Sequence, residues 1–318
     1  MKVCLTNSYG SWTNAKTGKG KFAQRLIPEL EKLGVRIITD PLINVDIDLQ
    51  FGKFHYKHRN AKKTVLRLGA VHMDTNQKWQ KLNKPKADSA NHADGVIYQS
   101  QISKKLCHRF ITKPRCLETV IFNGDDPARS EGIVPYKSKT KYNFLASTRV
   151  WLRQKRLKEI VKSFEEAEMD DCTLWVAGDT RGYTKNNSGN INYVGLCDDK
   201  TVLSLMMLCK KMIHVVWIDA CPNSVVEALC SGCFIIHNNQ GGTPELVGDR
   251  GIVAVRDKPY TMQAVDMEHP PRVDRVHFSE ILRQTKEYVG YDSYDGPCHI
   301  STVAKQYVDF FERVLTHG

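Results

Sequence analysis

At 318 residues the chain is long for a single core and suits two domains of roughly 150 residues each, and its 41% of apolar residues is ordinary for a folded protein. No apolar run approaches the roughly 20 residues that span a bilayer, and the amino terminus lacks a signal peptide's apolar core, which gives the expectation of a cytoplasmic protein. A net charge of +11 attracts polyanions of every kind, nucleic acid, membrane surface and nucleotide alike, and so selects none of them.

In chain order, Lys2-Val3-Cys4-Leu5-Thr6 reads as a strand, followed by a polar loop through Tyr9 and Trp12 to Gly18-Lys19-Gly20. Phe22, Leu26, Leu30 and Leu33 recur at helical spacing, and Val35 to Thr39 returns as a strand, completing a βαβ unit. Further strands are expected at 47–50, 64–68, 95–99 and 119–122. Alternation of this kind argues for an α/β fold with a parallel sheet covered on both faces. Basic residues gather around Lys53-His58-Arg59-Lys62-Lys63, Lys78 to Lys86 and Lys104 to Arg115. They lack the interleaved aromatics of an RNA-binding surface, so nucleic acid is not the expected partner, whereas peripheral contact of this basic first domain with a membrane stays open.

Between Asp125 and Lys141 the chain turns rich in Asp, Pro, Gly, Ser and Lys, which places a hinge there. A second series of strands follows at 142–146, 173–177, 191–194, 213–217 and 234–236, and the tail is amphipathic. The expected division is a first domain over 1–135, a second over 136–301 and a closing helix over 302–318, with the two similar halves facing each other across a cleft. Ten cysteines sit in apolar segments such as Val3-Cys4-Leu5 and Leu229-Cys230, where reduced core thiols are expected.

The most informative stretch runs from Val215 to Gly232. It reads as a buried strand ending near Asp219, a short loop, and a helix with Glu227 in its first turn; Gly241-Gly242-Thr243-Pro244-Glu245 opens a second helix after the next strand. The first N–H groups of such helices are unpartnered and suit phosphate, while the two carboxylates can accept hydrogen bonds from sugar hydroxyls on either side of it. Ser224 with Glu227 also reads as a capping box, and Thr243-Pro244-Glu245 as a cap, a first-turn proline and an acidic residue. Asp219 serves no capping purpose and lies at a strand's carboxyl end, where open α/β sheets bind ligands.

Other pieces fit an anionic ligand. Ser147-Thr148-Arg149 and Lys155 follow the first strand of the second half, and the two cations can neutralise a diphosphate as it leaves. Gly18 and Gly20 allow close backbone approach, and His72 with Asp74 follows a strand of the first half. Gly18-x-Gly20-x-x-Ala23 with Asp40 imitates a dinucleotide fingerprint, but roughly ten residues separate it from the preceding strand, and the segment lacks the P-loop pattern. Asp46-Ile47-Asp48 has the D-x-D form of a metal site yet alternates with apolar residues as a half-buried strand does, so no metal is expected there. Tyr193-Val194-Gly195 offers backbone groups and an apolar side chain to a nucleobase. His214, within an apolar strand, reads as a core residue.

The run from Asp219 to Glu227, with Ala228-Leu229-Cys230-Ser231-Gly232 and Gly241-Gly242-Thr243-Pro244-Glu245-Leu246-Val247, resembles the signature of retaining GT-B glycosyltransferases, notably family 4. That family usually carries glutamate at both ends of an E-x7-E pattern; here Asp219 shortens the first reach by one methylene. The resemblance implies two Rossmann-like domains and a nucleoside-diphosphate sugar donor, UDP more often than GDP, with no divalent metal. It assigns the diphosphate to Arg149 and Lys155, the transferred sugar to Asp219 and His72, and the ribose to Glu227. Further donor contacts fall to Asn223, Ser224, Val194, Gly18, Gly20 and the Gly241, Gly242 and Thr243 backbone. The acceptor would be a glycan, a lipid or a protein-linked glycan. The compact first domain also resembles enzymes encoded by large DNA viruses. Rival readings are a nucleotide-sugar epimerase or phosphorylase on the same architecture, a polyanion-binding protein without turnover, and an oxidoreductase.

Overall fold

In the computed structural model the described residues are 1–5, 17–40, 42–55, 60–183 and 189–317. They form two compact units, one of residues 1–126, 262–265 and 296–318, the other of residues 127–261 and 266–295. The change of unit at Asp126 falls inside the stretch expected to be a hinge. Tyr9 and Trp12 of the expected polar loop, and His58 and Arg59, lie outside the described residues.

The first unit is a six-stranded parallel sheet in the order β2-β1-β3-β4-β5-β6, built from β1 (Lys2–Cys4), β2 (Arg36–Ile38), β3 (Val45–Phe51), β4 (Ala61–Leu68), β5 (Gly95–Tyr98) and β6 (Leu117–Val120). Helices α1 (Gly18–Lys32), α2 (Trp79–Asn91) and α3 (Gln101–Phe110) connect the strands. Of the four residues at helical spacing, Phe22, Leu26 and Leu30 are buried on α1, while Leu33, just past the helix, is exposed. The closing helix begins at Ile300, two residues earlier than expected, and buries Val303, Tyr307, Phe310 and Phe311 in this same core.

The second unit repeats the plan. Strands β7 (Tyr142–Val150), β8 (Cys172–Asp179), β9 (Ile191–Gly195), β10 (Lys211–His214), β11 (Phe234–Asn238) and β12 (Gly251–Val255) form a parallel sheet in the order β12-β11-β10-β7-β8-β9. Helices α4 (Leu157–Glu166), α5 (Asp199–Cys209), α6 (Asn223–Cys230), α7 (Thr243–Val247) and α8 (Arg275–Thr285) complete the unit, and the carboxyl-terminal helix is α9 (Ile300–Thr316). Strand β12 and helix α8 were not expected. All ten thiols are free and eight are buried. Cys230 and Cys233 have C-x-x-C spacing, but burial pushes the Cys233 thiol up to about 12, which suits a core residue rather than a redox pair.

Candidate functional site

Strand order decides where the second unit can hold a ligand. The chain starts in the middle of its sheet at β7, moves outward through β8 to β9, and returns to lay β10 on the other side of β7. The loops leaving β7 and β10 therefore diverge from adjacent strand ends, the switch point at which doubly wound sheets bind ligands.

From β7 the chain leaves through a bulge, its register against β8 shifting between Ser147 and Val150. Gly178 makes room for it. A Cβ at Gly178 would stand 1.8 Å from the Thr148 carbonyl oxygen, and its φ of +116° suits only glycine. Trp151 closes the bulge by donating its backbone N–H to the Asp179 carbonyl at 2.8 Å and its indole N–H to the Ala177 carbonyl at 3.1 Å. A tight turn over Arg153–Lys155 follows, and α4 begins at Leu157.

Between turn and helix stands Arg156, for which the sequence predicted no role. It is 2% exposed and left-handed, at φ 59°. Its guanidinium donates to both Asp257 oxygens at 2.8 and 2.7 Å and to the carbonyls of Val215 at 3.3 Å and Pro271 at 3.1 Å. This fork ties the turn to the segment leaving β10.

That segment departs from the expected strand. β10 ends at His214, and the Trp217 N–H donates at 2.9 Å to the Gln154 carbonyl in the turn rather than to a neighbouring strand. Ile218, a β-branched residue, is held at φ 55°, a costly conformation found where surrounding structure over-determines the backbone. Asp219 thus lies beyond the strand, at the tip of a strained turn. Its Oδ1 accepts the Cys221 N–H at 3.3 Å, and its own carbonyl accepts the Gly242 N–H at 2.6 Å. Gly241 is at φ +82°, and a Cβ there would stand 2.7 Å from the Asp219 carbonyl oxygen. The loop between β11 and α7 is therefore built directly on the Asp219 backbone.

Turn and loop place Lys155 and Asp219 close enough for each to act on the other's charge. Burial lowers the Lys155 ammonium, and the Asp219 charge opposes the shift. Burial likewise raises the Asp219 carboxyl, opposed by Lys155 and by the N–H groups of Cys221 and Ala220. The ammonium also donates to the Thr148 hydroxyl of the β7 bulge. Arg149 sits on the same bulge, exposed.

Behind this pair lies a buried layer. Thr243 Oγ1 and His214 Nδ1 hydrogen-bond at 3.3 Å, both residues being buried. Thr243 is therefore not the cap it was expected to be; Gly242 occupies the cap position and the hydroxyl is turned inward. His214 is more than a space-filling core residue. Burial, the Lys155 charge and His237 together push its imidazole down to about 3, so it is neutral at any physiological pH. Burial lowers His237 too, its Nδ1 lying 2.8 Å from the Asn238 carbonyl.

Helix α6 corrects two further expectations. Its cap is Pro222, with no side-chain capping bond, so Ser224 and Glu227 do not form a capping box. Because the helix begins at Asn223, Glu227 is its fifth residue and lies in the second turn. Ser224, Asn223 and Glu227 all keep partial exposure. Since β10 and β11 pair directly, α6 and α7 start at the ends of adjacent strands. Val194 lies half-buried on β9, before a left-handed Gly195 at φ +71°.

In the first unit, Gly18 and Gly20 are in the first turn of α1 rather than ahead of it, and the Gly20 N–H is taken by the Thr17 hydroxyl at 3.2 Å. His72 is half-buried in the loop after β4, its backbone clasped by Asn83 at 3.1 and 2.6 Å. Burial and Lys86 lower its imidazole. Asp74 accepts bonds from the Asn76 N–H at 3.0 Å and the Gln77 amide at 3.2 Å, a local turn. Asp46 pairs with Lys62 at 2.7 Å and Asp48 with Gln50 at 2.6 Å, as structural strand residues do. Among the described residues no group of three or more His, Cys, Asp or Glu could hold a metal ion, and no helix is long and apolar enough to cross a membrane.

Residues 141–266, which carry the whole β7-to-β12 site, match the family described as Glycosyl transferases group 1. No curated protein matches the chain by sequence. Among solved structures, the fold is similar to a sucrose-phosphate synthase from Thermosynechococcus elongatus, with a TM-score of 0.71 over 100% of both chains at 11% identity. It is also similar to AviGT4, a glycosyltransferase involved in avilamycin A biosynthesis, with a TM-score of 0.63, 14% identity and coverage of 100% of this chain and 99% of that one. A third likeness is to HepE of Anabaena in complex with UDP-glucose, with a TM-score of 0.57, 13% identity and coverage of 99% and 98%. The architecture is that of GT-B glycosyltransferases, two Rossmann-like α/β units each with a six-stranded parallel sheet.

Proposed function

We propose that the protein is a retaining glycosyltransferase that moves a hexose from a nucleoside-diphosphate sugar, UDP-sugar by preference, onto a glycan, lipid or protein-linked glycan. The observation that carries this reading is the Lys155–Asp219 pair at the switch point of the second sheet, inside the segment that matches the group 1 family. Lys155 and Arg149 would take the diphosphate, Asp219 and His72 the transferred sugar, and Glu227 the ribose hydroxyls. Asn223, Ser224, Val194, Gly18, Gly20 and the Gly241, Gly242 and Thr243 backbone would complete the donor contacts.

The chemistry follows from charge. Breaking a sugar–phosphate bond leaves negative charge on the diphosphate, and a partly desolvated ammonium stabilises it more than a solvated one would. Two cations do what a divalent ion does elsewhere, so the reaction needs no metal. Asp219 lies beside the ammonium yet is raised by burial, which suits a group that accepts hydrogen bonds from sugar hydroxyls. No side chain is placed as a covalent nucleophile, and front-side displacement, with the departing phosphate taking the acceptor proton, fits that set. The enzyme would act in the cytoplasm.

Incubation with radiolabelled UDP-glucose and a panel of sugar acceptors tests the proposal. The expected result is acceptor-dependent transfer with the anomeric configuration kept, and undiminished activity in EDTA. Isomerised nucleotide-sugar without any acceptor would instead identify an epimerase.

A further inference from the structure

The first unit has a switch point of its own, between β1 and β3, because its strand order is β2-β1-β3-β4-β5-β6. Around it stand cations with no anion. Lys19 is in the first turn of α1, the helix that follows β1, and Lys53 comes two residues after β3. Between them Arg67, at the end of β4, lies 4.3 Å from the Phe22 ring of α1 and 5.0 Å from the Phe51 ring of β3. Lys86 reaches over from α2 to donate to the Ala70 carbonyl just past β4. His55, whose backbone N–H donates to Gln50 at 2.8 Å, closes the group.

None of these five residues is in contact with a carboxylate among the described residues. Several other cations of the same unit do have a carboxylate partner, among them Arg25 with Asp125 at 3.2 Å, Lys62 with Asp46 at 2.7 Å, Lys63 with Asp94 at 3.3 Å and Lys104 with Glu118 at 3.2 Å. Two acids close to these cations along the chain are engaged otherwise, Asp48 by Gln50 and Asp74 by Asn76 and Gln77. Two buried nitrogens at this end of the sheet, Arg67 Nε and His55 Nε2, have no hydrogen-bond partner, and Arg67 is only 2% exposed. Like charges gathered this way oppose one another. Beyond partial burial, Lys53 lowers Lys19 and Lys86, and both Lys19 and Lys53 lower His55. A fold that keeps such a group at a ligand-binding sheet edge without a counter-ion is matched to an anion from outside.

We propose that this edge is an anion subsite for the acceptor, and that the acceptor carries a phosphate monoester. The identity of the ligand as acceptor rests on the glycosyltransferase reading; the anion site does not. Lys19 and Lys53 would face the phosphate from the two sides of the switch point, with Lys86 beside them and Arg67 lending charge from beneath.

The test is calorimetric titration of the full chain, saturated with UDP, with glucose 6-phosphate, glucose and inorganic phosphate. Glucose 6-phosphate is expected to bind, glucose not, and inorganic phosphate more weakly than the sugar phosphate. Lys53→Glu and Lys19→Gln, both at exposed positions, should each weaken the sugar phosphate by about tenfold and leave UDP affinity unchanged. Unaltered sugar-phosphate affinity in both variants would overturn the proposal. A parallel loss of UDP affinity would assign the cluster to the donor, and inorganic phosphate binding as tightly as the sugar phosphate would mark a free-ion site; either result overturns the acceptor assignment. Failure of the unaltered protein to bind UDP would count against the glycosyltransferase reading alone, since the sugar phosphate can be titrated without it.

Discussion

Lys155 and Asp219, supplied by the loops leaving two adjacent strands, each hold the other's charge against burial. Their two segments are tied by the Trp217 N–H, which donates to the Gln154 carbonyl at 2.9 Å, and by the Arg156 guanidinium, which donates to the Val215 carbonyl at 3.3 Å. Replacing Lys155 by methionine removes the cation but keeps its bulk. Transfer should fall by about a hundredfold to a thousandfold, the loss typical of a donor aimed at developing negative charge. Steady-state kinetics with UDP-glucose checks this, and a change of less than severalfold would remove Lys155 from the chemistry.

The same pair sets a pH profile. Asp219 is raised, so the acid limb of kcat should lie above the range of an ordinary carboxyl as pH falls. Lys155 is lowered, so the alkaline limb should begin below the range of an ordinary lysine as pH rises. Arg149→Gln leaves both groups in place and should lower activity without moving either limb.

His214 makes stability depend on pH in a defined direction. Its folded value, about 3, lies below the ordinary histidine value of 6.5, so the unfolded chain binds the proton more readily. Stability is therefore complete above that ordinary value and declines as pH falls below it. His214→Gln should lose melting temperature at pH 7 through the broken Thr243 bond, and show a flatter decline between pH 7 and pH 5 than the unaltered protein. Parallel melting curves would contradict this.

Gly178→Ala should be among the most damaging small changes in the second unit. The added methyl would meet the Thr148 carbonyl, and φ +116° costs a non-glycine residue about 1–3 kcal/mol before any clash. Arg156→Met, which strands a buried Asp257, should destabilise by about 3–5 kcal/mol. Urea denaturation measures both.

Much of this fold could be read from the chain because parallel strands covered on both faces are short apolar runs between turn residues, as at 64–68 and 142–146. Strand β12 was overlooked although Ile252-Val253-Ala254-Val255 is such a run; it follows a five-residue helix too short to show periodicity. Helix α8 left a usable signal in Phe278, Ile281 and Leu282, set within a polar segment. The site was legible as residue types but not as relationships. Strand order, which makes the ends of β7 and β10 neighbours, is not written locally, nor is the contact of His214 with Thr243, 29 residues apart. Ser224 and Glu227 have the spacing of a capping box, yet the chain turns into α6 at Pro222, which shifts the helix start and leaves that box unformed.

Binding of the donor tests the central claim most directly. Calorimetric titration of UDP-glucose into the full chain in EDTA should show one site per chain, weakened at least about tenfold by Glu227→Ala and by Lys155→Met. Absence of binding, or equal affinity in all three proteins, would contradict the assignment of these residues to a nucleotide-sugar.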